Sequence, residues 1–260
     1  MMNIDLTGQT AVVTGASRGI GLAVTRALAG SGAHVIAGAL HSSAELATLA
    51  AEGAVTAAEL DLAEPSGPAA LVALAGGRID ILVNNVGGAP ARTGGFLSIT
   101  DQDWLATLNL NLMTAVRATR AALPAMIEAG KGAIVNVCSV NSVLPDPAVL
   151  DYSAAKAALA SFSKALSKEV GPKGIRVNTV SPGPVATDLW LGPDGVAATV
   201  GNATGARPDE VAKGAASAML TGRFSRPEEV ADLVLLLASD VTANVTGADV
   251  RIDGGLVPTW

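Results

Sequence analysis

One tyrosine stands in the whole chain, Tyr152, and Lys156 follows it four residues later. On a helix that spacing puts both side chains on one face. A neighbouring ammonium favours the phenolate and lowers a tyrosine from its ordinary pKa near about 10. A tyrosine tuned this way is a general acid or base for a reaction that builds negative charge on oxygen. Taken alone, Tyr-x-x-x-Lys is an ordinary helix pair. Its position in the chain changes that reading. It lies downstream of a strand ending in Ser139 and of a glycine-rich turn, Thr14-Gly15-Ala16-Ser17-Arg18-Gly19-Ile20-Gly21. Small residues let such a turn approach a pyrophosphate, and the helix behind it offers free N–H groups and a positive dipole end. The spacing is not G-x-G-x-x-G, since Val24 stands where the last glycine would fall.

The elements that must hold these groups follow from hydropathy. Apolar, β-branched runs at 10–14, 34–38, 54–60, 80–84, 133–139, 175–181 and 248–252 predict strands. Helical patterns separate them at 20–30, 42–51, 69–75, 101–128, 151–170 and 227–238, with Asp101 expected as a cap. Strands alternating with helices imply right-handed crossovers. Near-continuous apolarity implies a sheet covered on both faces. The expectation is an α/β protein. A single Rossmann-type doubly wound domain would span residues 1–260, with a mostly parallel sheet of about seven strands. Residues 188–226 break the rhythm with six glycines and two prolines. Such an excursion predicts a lid or binding loop, which residues 144–150 would help to line.

Net charge is −6 and the 17 basic residues are scattered, which argues against a nucleic-acid or anionic-membrane surface. No apolar run approaches the ~18 residues of a membrane span. The start, Met-Met-Asn-Ile-Asp, has no basic or apolar leader pattern. The single cysteine, Cys138, cannot close an internal disulfide or build a cysteine zinc cage, and two histidines, His34 and His41, suggest no metal site. A cytoplasmic protein is expected. Strand alternation puts Cys138 on the opposite face from Ser139, as a buried apolar residue and not a nucleophile.

The chain resembles the short-chain dehydrogenase/reductase superfamily, and in overall pattern its 3-oxoacyl-carrier-protein reductase branch. Residues 14–21 match the family's T-G-x-x-x-G-x-G loop throughout. The resemblance implies that Gly15, Gly19 and Gly21 line a dinucleotide, with Ser17, Arg18 and Ile20 beside them. Asp61-Leu62 is similar to the family's adenine-contacting pair. Asn84-Asn85-Val86-Gly87 is similar to N-N-A-G, with Val86 adding bulk where alanine is usual. Pro182-Gly183-Pro184-Val185-Ala186-Thr187 is similar to the segment bordering the nicotinamide, and Asp253-Gly254-Gly255 fits the family's C-terminal end. Asn111, Ser139, Tyr152 and Lys156 match the catalytic set. The resemblance implies that Ser139 bonds the substrate oxygen, that Lys156 bonds the nicotinamide ribose with Tyr152 also contacting the cofactor, and that Asn111 holds a water for proton supply. It also implies a homotetramer built through the long helices.

Selection of NAD(H) usually needs an acid at the end of the second strand. Residues 36–44 contain none, whereas Arg18 sits in the glycine loop and His41 and Ser42 offer further donors. NADP(H) is therefore expected over NAD(H). The implied activity is hydride transfer between NADP(H) and a carbonyl or secondary alcohol, on a 3-oxoacyl thioester or a secondary-metabolite ketone. Two readings compete with it: an NAD-dependent dehydrogenase of a sugar, polyol or steroid alcohol, and a dinucleotide-binding sensor without turnover.

Overall fold

The computed structural model describes residues 4–259. Met1 to Asn3, on which part of the leader expectation rests, lie outside the described residues. Seven strands form one parallel sheet: β1 Thr10–Thr14, β2 His34–Ala39, β3 Val55–Glu59, β4 Ile81–Asn84, β5 Gly132–Val137, β6 Ile175–Pro182 and β7 Asp249–Ile252. Their spatial order is β3-β2-β1-β4-β5-β6-β7. β1 pairs with β2 on one side (Thr14 opposite Gly38) and with β4 on the other (Val13 opposite Val83). The chain therefore winds outward to β3 and restarts at β4. That reversal opens a crevice at the carboxyl ends of β1 and β4, where doubly wound sheets take ligands.

The helices are α1 Gly19–Gly30, α2 Ala44–Ala51, α3 Gly67–Ala73, α4 Asp101–Leu108, α5 Thr114–Ala129, α6 Leu150–Val170, α7 Asp188–Leu191, α8 Val196–Thr204, α9 Pro208–Ser217 and α10 Pro227–Ala238. One apolar cluster holds Val24 and Leu28 of α1 with Val230, Val234 and Leu237 of α10. A second, including Leu71, Met126 and Leu166, holds side chains of α3, α5 and α6 with Leu82, Ile134 and Val177 of the sheet. Each such fully buried side chain contributes about 1.5–3 kcal/mol.

The structure corrects four local expectations. The cap of α4 is Thr100, which accepts from Asp103 N–H while the Asp103 carboxylate accepts from Thr100 N–H. Asp101 instead occupies the first turn. The long helix expected over 101–128 is interrupted by a π-helical turn at Asn109–Met113, a feature hydropathy cannot show. β5 stops at Val137, so Cys138 and Ser139 lie just past its end. Residues 188–226 are helical for most of their length. Both ends of this excursion are pinned together: Ala186 N–H donates to Ser225 O, and Ser225 N–H to Pro184 O. Trp190 of α7 also meets Phe224 edge-on, with ring centroids 5.3 Å apart.

Candidate active site

Beyond β5 the chain turns through Val140–Ser142, and this turn fixes Ser139. The Ser139 hydroxyl accepts from Asn141 N–H at 3.2 Å and donates to Asn141 Oδ1 at 3.1 Å. The Asn141 amide donates onward to Ser153 Oγ at 3.4 Å. One turn into α6, Tyr152 faces the same space. Lys156 is 3% exposed, its Nζ donating to Val137 O at 2.9 Å. That ammonium lies 5.7 Å from the Tyr152 ring centroid. Burial lowers the Lys156 pKa.

Burial pushes the Tyr152 phenol up to about 12, against a hydrogen bond with Ser139 that works to lower it. A lysine on the same face predicts a lowered tyrosine; burial of the phenol sets the opposite direction. Tyr152 is therefore a neutral phenol near pH 7, equipped to give a proton. Cys138 is buried as expected: it is 3% exposed, packs against Ala115 and Leu159, and burial raises its thiol, which suits an inert side chain. The opposite-face expectation is corrected, since the strand stops at Val137 and Cys138 borders the same cleft as Ser139.

Asn111 occupies the π-helical turn and is 1% exposed. Its Oδ1 accepts from Gly88 N–H at 3.1 Å, and its Nδ2 donates to Gly88 O at 3.0 Å and Thr107 O at 3.1 Å. The side chain thus holds the loop after β4. A Cβ on Gly87 would stand 2.8 Å from Asn111 Oδ1 and 3.4 Å from Lys156 Nζ, so both side chains converge on this glycine.

These groups open onto a cleft of about 1020 Å³. Gly15, Ser17, Arg18, Gly19 and Ile20 line it, as do Asp61, Leu62, Asn85, Val86, Gly87, Pro182, Gly183, Val185 and Thr187. Three expected residues do not line it. Asn111 stands behind Gly87 and Gly88, and His41 is exposed outside the cleft. Gly21 is buried at a contact that only glycine permits, because a Cβ there would lie 2.0 Å from Gly15 O. Gly21→Ala is accordingly expected to displace the loop and abolish dinucleotide binding in a fluorescence titration. Unchanged affinity would show that the loop relaxes freely.

The first turn of α1 has no side-chain cap and no acidic residue, which suits a bound phosphate. Asn85 Nδ2 donates to Thr14 O at 3.1 Å and Gly15 O at 3.0 Å, tying β4 to the loop. After β2 the lining residues are Ala39 and Leu40, neither an acid. Ser42 N–H is already spent on Glu59 Oε1 at 2.7 Å. Arg18 remains, with 79% of its side chain exposed and its nearest acid, Asp188, 4.0 Å away.

The excursion singled out in the sequence supplies Leu189, Trp190, Val196 and Val200 to the cleft wall. Two features had no sequence signal strong enough to single them out. Asn141 positions Ser139. Asp151, adjacent to Tyr152, has a side chain with no exposed surface. Arg92 Nε donates to Asp151 Oδ2 at 3.1 Å, Thr107 Oγ1 donates to the same oxygen at 2.7 Å, and Arg92 Nη1 reaches Asp103 at 3.0 Å. Arg92 N–H also donates to Ala148 O at 2.6 Å. The loop after β4 is thereby clamped to α4 and to the start of α6.

The chain is similar to known proteins along nearly its whole length. Residues 9–192 match the family model described as short chain dehydrogenase. The chain is 36% identical to a 3-oxoacyl-[acyl-carrier-protein] reductase of Thermotoga maritima, over 97% of this chain and 99% of that one. It is 38% identical to a D-threitol dehydrogenase of Mycolicibacterium smegmatis, over 96% of this chain and 93% of that one. Among solved structures it is similar to a putative NAD(P) dependent gluconate 5-dehydrogenase from Beutenbergia cavernae with bound NADP. The TM-score there is 0.87 at 31% identity, covering 99% and 100% of the two chains.

Proposed function

Because the chain belongs to the short-chain dehydrogenase family, we propose that Tyr152, Ser139, Lys156 and Asn111 are the working group of a carbonyl reductase. The protein is an NADP(H)-dependent oxidoreductase acting between a carbonyl and a secondary alcohol. NADPH supplies the hydride when bound. The observation that carries the assignment of residues is the convergence of Tyr152, Ser139 and the glycine loop on one cleft. Gly15, Ser17, Gly19 and the uncapped turn of α1 hold the diphosphate. Arg18 takes the 2′-phosphate.

Ser139 and Tyr152 bind the substrate oxygen together. Ser139, once its hydroxyl turns from Asn141 Oδ1, donates a hydrogen bond to it, and the neutral Tyr152 phenol gives the proton as charge develops there. Lys156, held by Val137 O, stabilises the phenolate left behind. Asn111 fixes Gly88 and hence the wall beside Lys156. α7 to α9 form the substrate lid.

The test follows NADPH absorbance with purified protein and a panel of ketones, β-keto esters and 3-oxoacyl thioesters. Consumption of NADPH with any carbonyl supports the reading. NADPH binding with no consumption across the panel would favour a sensor and overturn it. Arg18→Ala is expected to weaken NADPH binding about tenfold or more, the worth of a charge-assisted bond to phosphate, while NADH binding barely changes. Equal losses for both cofactors would place Arg18 elsewhere.

No helix among the described residues is long and apolar enough to cross a membrane. A cytoplasmic homotetramer completes the proposal, with exposed Leu97 and Leu105, 96% and 68% accessible, available to a partner beside α4. A monomer in light scattering at micromolar concentration would remove that part.

A further inference from the structure

The cofactor half and the substrate half of the cleft differ in chemistry. Around the substrate position the wall is made of Leu144, Leu189, Trp190, Val196, Val200 and Val211. α8 presents Val196 and Val200, one turn apart, and α9 presents Val211 and Ala215, with Ala218 just past its end. The charged residues of α9, Asp209, Glu210 and Lys213, stay exposed and off this wall. The ionisable side chains on the substrate half, beyond Tyr152 and Lys156, are Asp146 and Asp188, both exposed carboxylates. Among the described lining residues the one other cation is Arg18, in the glycine loop and facing Asp188.

The polar groups are equally sparse. Ser139 and Tyr152 address a single oxygen. The Asn141 amide is engaged by Ser139 and Ser153. A polyhydroxylated substrate would leave several hydroxyls without partners on this wall, and burying such groups unpaired is costly. A carboxylate, or the phosphates of a carrier-bound thioester, would enter past the carboxylates of Asp146 and Asp188, while Lys156 is held at Val137 O and Arg18 faces Asp188.

We infer that this site, on the proposed function above, selects an uncharged and largely apolar ketone, aliphatic or alicyclic, over anionic 3-oxoacyl compounds and sugars. The relatives' names point to a carrier-bound thioester, a polyol and gluconate, so the inference separates this chain from each of them.

The decisive pair is ethyl acetoacetate against acetoacetate, which share a reacting ketone and differ in charge. Methyl hexyl ketone, cyclohexanone, acetoacetyl-coenzyme A and dihydroxyacetone extend the series. With NADPH, kcat/KM is expected to favour the neutral apolar ketones by about tenfold or more. Equal or higher values for acetoacetate, acetoacetyl-coenzyme A or dihydroxyacetone overturn the inference.

The same compounds are titrated against the NADPH complex of Tyr152→Phe, with NADPH fluorescence as the readout. Saturable binding of the neutral ketones there, without turnover in the unsubstituted enzyme, leaves the inference standing and defeats the catalytic reading instead. No binding of the neutral ketones overturns the inference itself. In Asp146→Asn/Asp188→Asn, both surface positions, the preference for the ester over the acid is expected to shrink several-fold at low ionic strength. An unmoved ratio overturns the role given to the two carboxylates.

Discussion

Tyr152→Phe is expected to lower kcat/KM for carbonyl reduction by about a hundred- to ten-thousand-fold, the usual worth of a positioned proton donor. The ring stays, and with it the packing under Lys156, so NADPH affinity is expected to fall far less than kcat/KM. The pH profile then tests the role. Burial holds the Tyr152 phenol up to about 12, so below that value it is mostly protonated. Reduction, which consumes the acid form, is expected to stay flat from neutral pH into the mildly alkaline range. Oxidation of the alcohol requires the base form. It is expected to climb with pH, by about tenfold per unit while the phenol remains mostly protonated. A loss under tenfold on substitution, or reduction that falls steeply as pH rises through neutral, would remove Tyr152 as the proton donor.

What the sequence made legible here is local, or repeated along the chain. The alternation of apolar runs with helical patterns carried all seven strands, because a sheet covered on both faces leaves few polar residues to blur it. The glycine loop was readable because its chemistry is backbone chemistry at fixed spacing. Asn111 was legible by position but not by geometry. Nothing in residues 101–128 announces a π-helical turn or the bonds Asn111 makes from it to the loop at Gly88.

The direction of the Tyr152 shift was missed for a related reason. Spacing places Lys156 on the same face, but burial of the phenol sets the direction. The clamp between Arg92 and Asp151 joins residues 59 positions apart. No periodicity encodes such a pair. Its one trace is an acid at 151 beside the tyrosine, in a helix whose neighbouring turns are apolar.

That clamp carries the second large effect, read through Arg92→Met. The substitution keeps an apolar stem of similar length and removes the charge. Asp151 would remain in a position with no exposed surface, with only the Thr107 hydroxyl and the Tyr152 N–H to bond it. Breaking a buried pair from one side costs about 3 kcal/mol or more near neutral pH, because the surviving charge is left uncompensated. In a chain of this size that is a fall in Tm of roughly 6–12 °C at matched protein concentration.

The sign of the pH dependence identifies the cause. In the unsubstituted protein burial works to raise the Asp151 carboxyl. Hydrogen bonds from Arg92 and Thr107, with the charge of Arg92, overcome it and hold the carboxyl below its ordinary value. Its contribution to stability is therefore present above the unfolded carboxylate value near about 4, and is lost as pH falls through the depressed one. In Arg92→Met both contributions of Arg92 go, burial is opposed only by the bonds from Thr107 and the Tyr152 N–H, and the carboxyl moves up from its depressed value. The stability which that depressed value supplied above about pH 4 is reduced accordingly. The gap in Tm between the two proteins is expected to widen from about pH 4 towards neutrality. A gap that stays constant over that range would mean Arg92 stabilises by packing its stem and not by answering the buried charge. In Arg92→Met/Asp151→Leu the stranded carboxylate is gone, so most of the lost stability should return. If kcat remains low in that double variant while Tm recovers, the clamp also sets the position of Tyr152, one residue further along α6.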